Sequence, residues 1–173
     1  LAPALASGAV EGINAQDATA DQLGVLAENI DRLAADANIT DLVVTSDLST
    51  ADLSALIERA TGTQVDATGM SAAQLNAVAD ALEGGNVASV EGTLTIGSGI
   101  SADSITALLG DVSLASESDV NVLTNGMAEA QLTAVTSVLG SITTLDIASG
   151  ITITAEDTDS IPESVVGNGT LAA

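Results

Sequence analysis

A six-residue pattern typical of a helix start recurs five times in this chain, and it constrains the fold more than any other feature. Four of the five copies have Ser or Thr at the second position, and every copy ends in Leu or Ile. The copies begin at residues 18, 48, 70, 100 and 127, a spacing of roughly 20–30 residues that is typical of repeat proteins. They read ATADQL (18–23), LSTADL (48–53), MSAAQL (70–75), ISADSI (100–105) and MAEAQL (127–132).

The second position of each copy is predicted to be a helix N-cap. A hydroxyl there accepts a hydrogen bond from a free backbone N–H of the first helical turn. An Asp or Gln three residues later can reach back toward the cap, and the apolar first and sixth residues match a hydrophobic staple. The last copy has Ala128 at the cap position, and Asn125 or Gly126 is expected to compensate there. The other predicted caps are Thr19, Ser49, Ser71 and Ser101.

Short β-rich runs precede most of these helices. Their β-branched residues and two-residue alternation predict strands, and the order strand, helix, strand favours parallel pairing. The helices are expected to end near glycines, which fit the left-handed conformation that closes a helix. The runs are 42–45, 63–67, 92–96, 120–124 and 150–154, with extra strands near 87–90 and 142–147, and the glycines are Gly62, Gly84, Gly110 and Gly140.

The composition favours an α/β repeat fold. Hydrophobic residues make up 46% of the chain and aromatic residues 0%, so the core must consist of thin aliphatic layers that stack regularly. We therefore expect an elongated βα-solenoid with a parallel β-sheet on one side and short helices on the other. The expected organisation is an N-terminal extended segment at 1–12, βα-solenoid repeats at 13–160 and a C-terminal tail or strand at 161–173.

The charge of the chain restricts its partners. The formal net charge is −22, from 24 acidic residues against Arg32 and Arg59. This charge argues against nucleic acid and against anionic membranes, because both require basic patches. No apolar run approaches the roughly 18 residues of a membrane span, so membrane insertion is not expected. High salt or calcium would screen the acidic surface, although the acidity could equally serve only to keep an apolar protein soluble.

The residue types exclude most catalytic chemistry. The chain has no His, Cys, Lys or Tyr, so the common nucleophile–base pairs and thiolate metal sites cannot form. Paired carboxylates can hydrolyse glycosides, but the aromatic residues that usually bind sugars are also missing. We expect no enzyme activity, no catalytic residue, no bound organic cofactor and no small-molecule substrate.

One acidic segment is a weak candidate for calcium. Glu156, Asp157, Asp159 and Glu163 lie close together in AEDTDSIPES (155–164), and oxygen ligands at such spacing can bind Ca²⁺. No EF-hand loop or calcium-binding nonapeptide is present. The alternative is a solvated loop or a helix start. Calcium is therefore the only cofactor considered for this chain.

Paired threonines suggest a further alternative. Thr93 and Thr95, like Thr152 and Thr154, form TxT pairs on predicted strands. Regular TxT arrays on flat solenoid faces can match ice. The simpler interpretation is that threonine is a good strand former at a solvent-facing position.

The run TLTIGSGISADSITALLG (93–110) resembles the βα-repeats of very large secreted bacterial surface proteins, of the kind found in marine bacteria and cyanobacteria. The resemblance covers about residues 13–160, and the unequal spacings and Ala128 depart from its pattern. It implies an extracellular structural or adhesive role, and it brings no catalytic residues with it.

The two ends of the chain complete the functional hypothesis. LAPALASGAV at the N-terminus and GTLAA at the C-terminus lack the polar character of capping repeats, and open ends favour head-to-tail stacking and edge pairing. We expect an extracellular or cell-surface structural protein that self-assembles with copies of itself into a filament, sheath or surface layer. The alternatives are a spacer or binding segment of a large secreted adhesin, whose neighbouring repeats cover the ends, and an ice-binding or calcium-dependent surface-layer module.

Overall fold

The protein is a mixed α/β fold in which parallel strands alternate with short helices. A computed structural model describes residues 12–110, 114–115, 118–155 and 161–172. Within these ranges, no helix is both long and apolar enough to span a bilayer. The helices are α1 (Ala20–Glu28), α2 (Thr50–Glu58), α3 (Ala72–Glu83), α4 (Ala102–Gly110) and α5 (Glu129–Ser137), with 3₁₀ turns at Ile30–Arg32 and Leu139–Ser141.

Every strand pair in the described part of the chain is parallel. The sheets have the orders β1-β2, β3-β4-β5, β10-β8-β7-β6 and β11-β9, so paired strands are neighbours or near neighbours in the chain. The strands are β1 (Gly12–Asn14), β2 (Asn38–Thr40), β3 (Val43–Val44), β4 (Thr63–Asp66), β5 (Val87–Glu91), β6 (Thr93–Ile96), β7 (Asp119–Leu123), β8 (Thr144–Ile147), β9 (Thr152–Thr154), β10 (Ser164–Gly167) and β11 (Thr170–Ala172).

Within the described residues, six strands are each followed directly by a four-residue turn. In each turn the N–H of the fourth residue donates to the carbonyl of the first, at 3.0–3.3 Å. A helix follows each of the first five turns, as predicted. The sixth turn, which the sequence pattern did not reveal, leads into strand β9 instead. The turns span 15–18, 45–48, 67–70, 97–100, 124–127 and 148–151, and we call each strand, turn and following element a unit.

The predicted helix caps are confirmed where a hydroxyl is present. Ser49 Oγ accepts from Asp52 N at 3.1 Å, and Ser101 Oγ accepts from Ser104 N at 3.0 Å. Thr19 and Ser71 do the same and also receive the reciprocal glutamine contact of a capping box.

The expectation that Asn125 or Gly126 compensates at the fifth helix is wrong. The Ala128 N–H donates instead to Gln131 Oε1 at 2.7 Å. This contact is one half of a capping box, and it gives the N–H of the cap residue a partner without a hydroxyl.

The predicted glycine ends of the helices are only partly correct. Helix α4 does end at Gly110, but α2 ends four residues before Gly62. After α3, Gly84 has an ordinary helical φ of −73°, and the left-handed residue is Gly85.

At two places the chain bends sharply between consecutive strands, so that the two strands pair with different neighbours. Strand β5 pairs with β4, and β6 pairs with β7. Gly92 joins them with a φ of 82°, and a Cβ there would collide with the Asp66 and Thr68 side chains. Only glycine accommodates both constraints without strain. Asp41, with a φ of 54°, lies in the corresponding bend between β2 and β3.

The core consists of aliphatic side chains shared between neighbouring units. Each helix contacts the next helix in the chain, from α1 to α5. The apolar positions predicted at the start of each helix lie in this core, and Leu53, Leu75 and Ile105 are fully buried. Because each unit is thin, most of the apolar surface that it buries lies against the units beside it.

Gln74 links its own helix to the preceding unit. Its Oε1 accepts from Ser71 N at 2.8 Å, which completes the cap of α3. Its Nε2 donates to the carbonyls of Ser46 at 3.1 Å and Leu48 at 2.7 Å, both in the turn before α2. The side chain is 6% exposed, so these hydrogen bonds satisfy a polar group that would be costly to bury alone.

Gln131 repeats this arrangement two units later. Its Oε1 accepts from the cap residue of α5, and its Nε2 donates to the carbonyls of Ser98 at 3.0 Å and Ile100. These two residues belong to the turn before α4. The third glutamine of the series, Gln22, bonds its cap residue Thr19 but makes no bond to another unit within the described residues.

Replacing Gln74 by alanine should therefore destabilise the protein more than replacing Gln22. Both Q74A and Q22A lose a cap contact, but only Q74A leaves two turn carbonyls without donors. We expect a difference of about 2 kcal/mol in the free energy of unfolding, at about 1 kcal/mol per hydrogen bond. Urea titration followed by circular dichroism measures it. Equal losses would show that the inter-unit bonds contribute nothing.

A serine at the fifth cap should stabilise the protein. A128S adds the missing hydroxyl acceptor for the Gln131 N–H, and the expected gain is about 1 kcal/mol. A130S is the matched control, because it places the same residue inside the exposed first turn, where serine is slightly unfavourable. Thermal unfolding should rank A128S above wild type and A130S at or below it, and the reverse order would refute the cap geometry.

Candidate functional site

Most of the predicted calcium ligands fall in a segment that the structure does not describe. Glu156, Asp157 and Asp159 lie outside the described residues. Glu163 is described and is exposed just before β10. In the ranges that the structure covers, no group of three or more acidic side chains could hold a metal ion. The calcium hypothesis thus remains a prediction about a segment that the structure does not describe.

The threonine pairs do not form a continuous array. Thr93 lies opposite Asp119 and Thr95 opposite Asn121 across β6 and β7. On the other pair of strands, Thr152 faces Thr170 but Thr154 faces Ala172. The register therefore mixes threonine with carboxylate, amide and methyl groups, which does not favour ice binding.

An open cavity lies between the segment that follows α1 and helix α2. Its volume is about 570 Å³, and its lining includes Ile30, Leu33 and Glu58. The Arg59 guanidinium on its wall donates to the carbonyls of Ala34 at 3.0 Å and Ala35 at 3.1 Å. Arg59 therefore holds the loop after α1 in place, and the other charged groups of the lining are the carboxylates of Asp31 and Glu58.

The C-terminal end of the four-stranded sheet exposes apolar side chains. Ile96, Val122, Leu145 and Val165 lie in one register column across β6, β7, β8 and β10. The first three are 0% exposed, whereas Val165 is 40% exposed. Strand β10 has a partner on one side only in the described part of the sheet. The internal column thus continues to this end of the sheet, where its last member is uncovered.

The opposite end of the described chain presents an apolar cavity. Strand β1 pairs with β2, its only partner among the described residues, and Ile13 is half-buried at its centre. The cavity beside it has a volume of about 270 Å³, with Ile13, Leu23 and Leu26 on its apolar wall. Its rim is polar and includes Asn14, Gln16, Asp17 and Gln22.

Helix α1 adds a further apolar residue near this end. Val25 is 46% exposed and lies three residues after Gln22, on the same helix face. The corresponding face of α3 carries Gln74, which points toward the preceding unit. In α2 to α5 the position of Val25 is occupied by alanine: Ala55, Ala77, Ala107 and Ala134.

We call these two regions the end faces. The N-terminal end face comprises half-buried Ile13 and exposed Val25, together with the buried Leu23 and Leu26 of the adjoining cavity, and the C-terminal end face comprises strand β10 with Val165. The sequence predicted open apolar ends but placed them at residues 1–10 and in the last five residues. Strand β10 lies within the segment 161–173, for which the sequence left tail and strand open, because SVVG is short and follows a proline-containing acidic segment.

Comparison with known proteins identifies no family for this chain. No protein-family model, no curated protein and no solved structure matches the chain.

Proposed function

We propose that this chain is an extracellular structural protein that self-assembles through its end faces into a filament, sheath or surface layer. The observation that carries the proposal is that β1 and β10 each have a single partner strand among the described residues, with Ile13 half-buried on β1 and Val165 40% exposed on β10. In this proposal the units form an elongated βα-solenoid, with the parallel strands on one side and the helices on the other.

The packing inside the chain provides the template for contact between copies. Each internal unit covers the unit behind it with aliphatic side chains and parallel strand hydrogen bonds. The C-terminal end face of one copy and the N-terminal end face of another offer the same kinds of surface. A contact that joins two different faces of identical molecules does not close after two copies, so it propagates into a linear polymer.

The acidic surface sets the conditions for assembly. A net charge of −22 makes copies repel one another at low ionic strength. The Debye length falls from about 30 Å at 0.01 M salt to about 3 Å at 1 M. Salt, or calcium bound between carboxylates, would therefore permit assembly, which suits a marine or calcium-rich extracellular setting.

The main alternative is a spacer or binding segment of a large secreted adhesin. There the neighbouring repeats of the longer chain would cover both end faces, and the isolated segment would remain monomeric or associate weakly. An ice-binding or calcium-dependent surface-layer module is the second alternative, and the mixed threonine register gives it less support.

Substituting Val165 by aspartate should weaken self-association. V165D places a charge on the uncovered member of the apolar column, where burial of valine contributes about 1.5–3 kcal/mol. The dissociation constant measured by analytical ultracentrifugation should rise about tenfold or more. V43D is the matched control, since Val43 is 42% exposed on β3, which belongs to a different sheet from β10. Equal effects of the two variants would show that assembly does not depend on the C-terminal end face.

Raising the salt concentration should promote assembly of the wild-type chain. Between about 0.01 M and 1 M NaCl we expect a shift from monomers to rods or fibres by negative-stain electron microscopy, because screening removes acidic repulsion. Calcium and magnesium at matched ionic strength separate general screening from specific binding. Monodisperse particles under all of these conditions would refute the polymer and favour the adhesin spacer.

A further inference from the structure

We infer that the two end faces join by parallel strand pairing, with β10 of one copy against β1 of the next and Val165 opposite Ile13. The inference rests on the proposed self-assembly and specifies its interface, register and polarity. The partner is a second copy of this chain, presenting the opposite end.

The internal pairing of β3 with β4 defines the expected register. There Val44 and Val65 lie opposite each other, and both are fully buried. Val65 precedes the first residue of its turn by two positions, and Ile13 does the same in the first unit. Ile13 is therefore the counterpart of Val65, and an added strand should place its inward-facing residue opposite it.

Strand β10 has the features required of that added strand. Its inward residue, Val165, already continues the column of Ile96, Val122 and Leu145. Aligning Val165 with Ile13 places Ser164 opposite Gly12 and Val166 opposite Asn14. In this register the column of valine, leucine and isoleucine side chains runs without interruption from one copy into the next.

The cavity of the N-terminal end face is suited to an aliphatic side chain. Its wall of Ile13, Leu23 and Leu26 is apolar, and the equivalent surfaces inside the chain are covered by aliphatic residues of the preceding unit. Neither GIN of β1 nor SVVG of β10 contains an ionisable side chain. Within the paired strands themselves no two carboxylates face each other, whereas Glu163 immediately before β10 adds a charge beside the junction that salt would screen.

Cysteine cross-linking tests the register directly, because the natural chain contains no cysteine. Two single variants, N14C and V166C, are purified separately and mixed under assembling salt conditions with a mild oxidant. Both positions are exposed and would be neighbours across a parallel pair, within the Cα separation of about 4.4–6.8 Å that a disulfide requires. Different tag lengths identify the heterodimer on a non-reducing gel.

We expect the N14C–V166C heterodimer to exceed either homodimer by at least about tenfold, as a contact between unlike faces requires. The mixture of V43C with V166C is the matched control, since Val43 is an exposed valine on β3, which belongs to a different sheet from both β1 and β10, and it should give only background cross-linking. Circular dichroism checks that each variant is folded.

The outcomes distinguish the interface from the function. Wild-type polymers without the N14C–V166C product, or with equal cross-linking of the V43C control, would overturn this interface while the proposed self-assembly stands. Predominant V166C homodimers would show a tail-to-tail contact and overturn the inferred polarity. If wild-type protein remains monomeric at every salt concentration, the proposed function itself fails.

Discussion

Thin aliphatic layers impose the constraint on which the rest of this structure depends. Without aromatic rings, no single strand, turn and helix can bury enough surface to be stable, so each unit must pack against the next. Parallel pairing keeps the inward-facing residues of successive strands in one column, as Ile96, Val122 and Leu145 show. The same constraint makes the outermost layer of a stack less stable than the inner layers, because no neighbouring layer covers its apolar side chains.

Two glutamines fix the register between units, which hydrophobic packing alone specifies only weakly. Columns of similar aliphatic residues tolerate slippage, because one isoleucine or valine fits nearly as well as another. Gln74 and Gln131 each bind one backbone N–H in their own unit and two carbonyls in the unit before. A shift of either unit would leave a largely buried amide unsatisfied. These hydrogen bonds therefore specify the register of two unit pairs in an otherwise repetitive core.

Acidity and apolar end faces act on assembly in opposite directions. The end faces favour contact between copies at short range, whereas a charge of −22 opposes approach at longer range. Because screening by salt affects only the second term, ionic strength becomes the natural control of the proposed polymer.

Local chemistry predicted the helix starts well, because a cap hydroxyl, a reciprocal side chain and an apolar staple all act within six residues. Thr19, Ser49, Ser71 and Ser101 form caps as expected, and β-branched runs such as TLTI form strands. Contacts between distant residues decided the remaining features. The bonds of Gln131 to the preceding unit, the bend at Gly92 and the exposure of Val165 depend on carbonyls, side chains and strands that lie 20 residues or more away in the chain. Sequence periodicity contains no information on which neighbour a strand pairs with, so only the folded chain revealed where its apolar column is left uncovered.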